Sequence, residues 1–147
     1  MSLKAGLERG ALQTHKPSAK EIAGLLALAD RNLADAGVRE LSAEGQFQFA
    51  YNAALAMATT ALHAAGYPTN SNVPGHHAVT VESLQHTVGA DAVLVRKLDA
   101  FRRKRNRVSY DAPAAVSANE AADMLVLAAQ LRHDVAAWIR VKHAALI

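Results

Sequence analysis

Apolar residues recur at three- and four-residue intervals along most of the chain, and this period constrains the fold more than any other feature. Ile22, Leu25, Leu26, Ala29 and Leu33 share one helical face, as do Phe47, Tyr51, Ala54, Leu55, Ala58 and Leu62. Leu84, Val88, Val95, Leu98 and Phe101 make a third stripe, and Met124, Leu127, Leu131, Val135 and Trp138 a fourth. No stretch alternates convincingly over strand length. Start and stop signals punctuate the stripes. Ser18 with Glu21, and Ser117 with Glu120, read as capping boxes. Ser42 with Glu44 opens the second helix and Thr80 with Glu82 the third. Gly37 and Gly66 close the first and second. The third must stop before Pro113, because Ala112 is disfavoured in the α region. The expectation is an all-α, antiparallel four-helix bundle. Residues 1–16 read as a loose leader and residues 17–147 as a single helical-bundle domain.

One long polar loop, residues 66–79, separates the second and third helices. Its Pro, Gly and Asn residues forbid a regular element, and it carries the adjacent pair His76 and His77. Loops of this length are often functional.

Composition excludes several chemistries. There is no Cys, so no disulfide framework, thiolate nucleophile or Cys-based zinc site exists. No phosphate-binding glycine loop, Gly-x-Ser-x-Gly, His-Glu-x-x-His or paired-carboxylate pattern is present. His76 and His77 have no companion ligands at zinc spacing, and no metal or cofactor is expected. His63, His133 and His143 read as helix-surface residues. No apolar run approaches the roughly 18 residues that span a bilayer. The first residues lack a continuous apolar core, and a cytoplasmic protein is expected. A formal net charge of +3 is too small by itself to imply nucleic acid.

Charge is instead local. Arg102, Arg103, Lys104, Arg105 and Arg107 crowd the end of the third helical pattern. With Leu98 at the centre of the apolar stripe, Arg105 lies only about 20° away, on the apolar face. Arg103, Lys104 and Arg107 point outward, and Arg102 sits on the border. A guanidinium cannot shed its proton, so one placed among Leu and Phe needs a partner or a wet cleft. Arg105 is therefore a candidate phosphate-gripping residue, or else a structural one tied to a carboxylate. The outer cations either track a nucleic-acid backbone or form a solvated face.

The assembled pattern resembles the HEPN superfamily of small helical bundles found in toxin–antitoxin and defence systems. The resemblance rests on Phe49 to Tyr67, on Gly75-His76-His77, and on Arg102-Arg103-Lys104-Arg105-Asn106 followed by Tyr110. In many HEPN proteins an Arg, a polar residue and a nearby His meet their copies across a homodimer, forming a metal-independent RNA-cleaving site. Arg105 and Asn106 match the first two positions, and Tyr110 stands where that pattern has His. A phenol with a pKa near 10 is a poor general base at neutral pH. The resemblance thus implies a homodimeric module that binds RNA or a nucleotide. Arg105, Asn106 and Tyr110 would form its site, with Arg102, Arg103, Lys104, Arg107, His76 and His77 around the ligand. If it is an enzyme, it is a metal-independent endoribonuclease. The alternative is a non-catalytic interaction homodimer, for example a partner of a nucleotidyltransferase. A helical DNA-binding protein is a third, weaker reading.

Overall fold

The computed structural model describes residues 2–110 and 116–147, with residues 108–110 described by backbone alone. Within them the chain is all helical. The helices are α1 (Leu3–Glu8), α2 (Ala19–Ala36), α3 (Ala43–Ala65), α4 (His76–Glu82), α5 (Ala92–Tyr110) and α6 (Ala118–Lys142). Short 3-10 turns follow α4 at Ser83–Gln85 and α6 at Ala144–Leu146. No described helix is long and apolar enough to cross a membrane.

The middle of the fold is α3. Ala53, Ala54, Ala56, Met57 and Ala58 are all buried, a run that one apolar stripe cannot produce and that marks a helix covered on several sides. Its main packing partners are α2 and α6. Alanine on its sides lets those neighbours approach closely. Larger anchors fill the remaining space: Phe47, Tyr51, Met57 and Leu62 from α3, Ile22 from α2, and Met124, Val135 and Ile139 from α6. Leu98 of α5 and Leu84 join the same core, and Phe101 meets Phe47 edge to face, with ring centres 5.6 Å apart.

The caps follow the sequence in detail at three helices. Ser18, Ser42 and Ser117 each accept a backbone N–H three residues on. At α6 the box is complete, because Glu120 accepts the Ser117 N–H in return. At α2 it is half formed, since the Glu21 carboxylate turns away to His15 and His63.

The third long helix is broken in two. Helix α4 begins at His76 rather than Thr80, because Gly75 adopts a left-handed conformation (φ 81°) that ends the loop early. Thr80 is inside the helix, its hydroxyl donating to the His76 carbonyl. Gly89, at φ 74°, then interrupts the helical path, and the Asp91 carboxylate caps a fresh start by accepting the Leu94 N–H at 2.8 Å.

The segment before Pro17 is partly docked rather than loose. Gly66 ends α3 at φ 87°, with its N–H on His63 and the Tyr67 N–H on Leu62, a Schellman arrangement. The Gly66 carbonyl accepts the His15 N–H at 2.9 Å, and Pro68 accepts from Gln13 at 2.8 Å. This strap buries Leu12. A Cβ at position 66 would meet the His15 carbonyl at 3.1 Å, whereas one at 75 meets nothing within 4 Å. Gly75→Ala should therefore cost about 1 kcal/mol through its backbone alone, and Gly66→Ala more, about 2 kcal/mol. Urea midpoints of the two variants test this; equal losses would mean that the strap does not press on the cap.

Candidate functional site

Helix α5 carries the cations, and its first half decides how they are held. Asp99 lies one turn before Arg102 and Arg103 and takes both: Arg102 Nε at 2.8 Å, and Arg103 at 3.0 and 2.6 Å. Burial pushes the Asp99 carboxyl upward, but the hydrogen bonds from Arg102 and Arg103 outweigh it and hold the group below its ordinary range. Lys104 reaches across to α6, with Nζ 2.5 Å from Glu120, so it is a cross-helix tie and not the outward-pointing cation that a bare helical projection makes it. Arg103 and Arg107 remain exposed. Asn106 is partly buried on the same helix. Tyr110 is the last residue of α5, and its side chain lies outside the described residues.

Arg105 turns inward, as its place on the apolar stripe demands. Its guanidinium sits over the ring of Tyr51, Cζ to ring centre 5.8 Å, and its Nε is buried. The electron-rich face of a phenol offers a cation some of what water would give. The Tyr51 hydroxyl is buried and finds no hydrogen-bond partner among the described residues. Burial raises its pKa, against the opposing pull of the Arg105 and Arg102 charges. Tyr51 thus gives Arg105 a partner within its own chain.

The histidine pair comes to the same place. Starting α4 at His76 puts both imidazoles on its first turn, edge to face with ring centres 4.3 Å apart. His77 is pushed below its ordinary pKa, first by burial, then by the charges of His76, Arg105 and Arg102. Both α4 and α5 border a cleft of about 560 Å³ that Asp99, Arg102 and Arg103 line from one side and Ala78, Val81 and Glu82 from the other. The groove thus carries Arg96, Arg102 and Arg103 beside the carboxylates of Asp99 and Glu82, while Arg105, His76 and His77 are not among its lining residues.

A second cluster lies at the other end of α3. Tyr51 and His63 are twelve positions apart on that helix, about 18 Å along the axis. Glu21, in the first turn of α2, bonds His63 Nδ1 through one oxygen and His15 Nε2 through the other, the latter at 2.7 Å. The hydrogen bonds from the two imidazoles lower the Glu21 pKa. His63 is thus a partner of Glu21 rather than a helix-surface residue. His143 caps the end of α6 and packs its ring edge on Trp138, with centres 4.9 Å apart.

Sequence reasoning singled out Arg105 and the histidine pair but missed Tyr51, Asp99, Glu120 and the His15–Glu21–His63 cluster. Asp99 was within reach, because carboxylates three and four residues before Arg are a known helical pairing. No family model, curated protein or solved structure matches this chain.

Two outcomes follow from these electrostatics. Asp99 has a folded pKa below its ordinary 3.8, so its contribution to stability is complete above that value and is lost as pH falls through the folded pKa. The thermal midpoint of Asp99→Asn should trail the wild type at pH 7, and the gap should close as pH falls below 3.8 through the lowered folded pKa. For His77, removing one depressing charge in Arg105→Ala should raise the imidazole titration midpoint in NMR. An unchanged midpoint would show that the two groups are not coupled.

Proposed function

We propose that the protein is a HEPN-like module that binds RNA or a nucleotide where the start of α4 meets the basic end of α5. Its helices would form an antiparallel four-helix core in which α4 and α5 together count as the third, and the active species would be a homodimer. The observation that carries this reading is the place of His76 and His77 in the first turn of α4, near enough to the basic helix that the charges of Arg105 and Arg102 add to the burial that lowers the His77 pKa. It means that the loop after α3 returns an imidazole to the basic helix, where the sequence has Tyr110 in place of the motif His.

In this reading Arg105, held by Tyr51, grips a phosphate oxygen, and Arg103 and Arg107 steer the polyanion. Asn106 and Tyr110 shape the site. Arg102 and Lys104 chiefly brace the groove through Asp99 and Glu120. Neutral His77 takes the proton of an RNA 2′-hydroxyl, whose oxygen attacks the adjacent phosphorus. The P–O5′ bond breaks, the departing 5′ oxygen takes a proton from solvent, and a 2′,3′-cyclic phosphate remains. No metal enters the step. Charge stabilisation by Arg105 strengthens as the phosphorane forms.

The second reading is a non-catalytic interaction homodimer, or a partner of a nucleotidyltransferase. Val93 and Val126, 65% and 70% exposed, flank a groove of about 440 Å³ between α5 and α6. Exposed apolar residues beside a groove suit a protein contact.

RNA binding and cleavage in EDTA, with wild type, Arg105→Ala, His77→Ala and Tyr110→His, separate the two. The first reading expects cleavage that His77→Ala abolishes, and RNA binding weakened about tenfold or more in Arg105→Ala, the loss of one charge-assisted contact. Tyr110→His should raise the rate. RNA affinity unchanged in a folded Arg105→Ala, with no cleavage by any variant, would sink it. One stoichiometric protein partner held through Val93 and Val126 would establish the second.

A further inference from the structure

The His15–Glu21–His63 cluster has a composition and a construction of its own. Its three residues come from three separate segments: the strap, the first turn of α2 and the last turn of α3. One ligand-type atom from each lies within 4.8 Å of the other two. The backbone forces this meeting. The left-handed Gly66 cap presents its carbonyl to the His15 N–H, which sets His15 beside His63 one turn back on α3. Ser18, by capping α2, fixes the first turn from which Glu21 projects. Neither imidazole is fully exposed: the side chains of His15, His63 and Glu21 keep 41%, 26% and 27% of their surface.

We infer that these residues form a binding site for a single divalent cation of the zinc class. Two imidazole nitrogens and one carboxylate oxygen are a donor set that suits zinc, and zinc sites with three protein ligands keep a fourth position for solvent. Solvent reaches the cluster past His15, which lines a cleft of about 860 Å³ together with Lys16, Tyr67, Lys142 and His143. Around a tetrahedral zinc with bonds of ~2.1 Å, ligand atoms stand about 3.4 Å apart. His15 and His63 now hydrogen-bond to the two Glu21 oxygens, so loading needs these contacts to open, by about 0.7 Å for the 2.7 Å contact of His15, as the cation takes the place of the shared protons. The metal would pin the strap to α2 and α3. The site is about 18 Å along α3 from Tyr51, and it stands or falls independently of the RNA reading.

The test uses the full chain without an affinity tag. It is titrated with Zn²⁺ by calorimetry and with Co²⁺ by visible absorption, alongside His15→Ala, Glu21→Gln and His76→Ala/His77→Ala. Expected are one equivalent bound with a tetrahedral Co²⁺ spectrum, a thermal midpoint that rises with Zn²⁺, and affinity lower by roughly tenfold or more in His15→Ala and Glu21→Gln. The histidine-pair variant should bind as wild type. His15 is on the half-exposed strap, so its loss leaves α2 and α3 capped, and circular dichroism verifies the fold. No binding by wild type, equal binding by His15→Ala and Glu21→Gln, or loss confined to His76→Ala/His77→Ala would each overturn the site.

Discussion

The fold depends on the burial of α3. A helix with Ala53, Ala54, Ala56, Met57 and Ala58 all out of water cannot persist alone, since its alanines bury little area and its few large residues need walls to pack against. Helices α2 and α6 supply those walls, and both are amphipathic only in the ordinary one-sided sense, with Ile22 and Leu26 or Met124 and Leu131 facing inward. The small side chains make the contact close, and the anchors Phe47, Tyr51 and Leu62 make it specific. Both clusters of polar chemistry are mounted on this one rigid helix, at Tyr51 and at His63.

The two clusters use α3 differently. At Tyr51 the helix offers an aromatic face to a cation delivered by α5 at the edge of the core. At His63 it offers a ring nitrogen to Glu21, and the geometry depends on where α3 stops. A single left-handed glycine does this work, because the carbonyl that it turns outward is also the acceptor that captures the strap.

Much of the fold is legible in the sequence. The stripes from Ile22 to Leu33 and from Phe47 to Leu62, the serine caps and the box at Ser117 are local signals, and local physics satisfies them. Gly89 was not legible as a break, because one glycine in a helical pattern costs only about 1 kcal/mol and does not by itself stop a helix. Glu21 has the spacing of a capping box, and only the distant His63 and His15 draw its carboxylate away. In the basic stretch the projection of Arg105 onto the apolar face was sound, since it rests on helical geometry alone. What covers Arg105, and what Lys104 reaches, depend on Tyr51 and Glu120, which the fold brings in from other helices.

The break at Gly89 also sets the rotational phase of α5. Everything that α5 presents to the rest of the molecule is counted from its new start at Asp91, not from α4. Each residue of a helix advances the next by about 100°. One residue gained or lost between Gly89 and Asp91 would turn the whole basic face by that angle, taking Arg105 off Tyr51 and Leu98 out of the core while every amino acid stayed the same. The length of this short joint, more than its composition, therefore determines which cation faces inward. Descendants of this chain could tolerate substitutions in the joint far better than insertions.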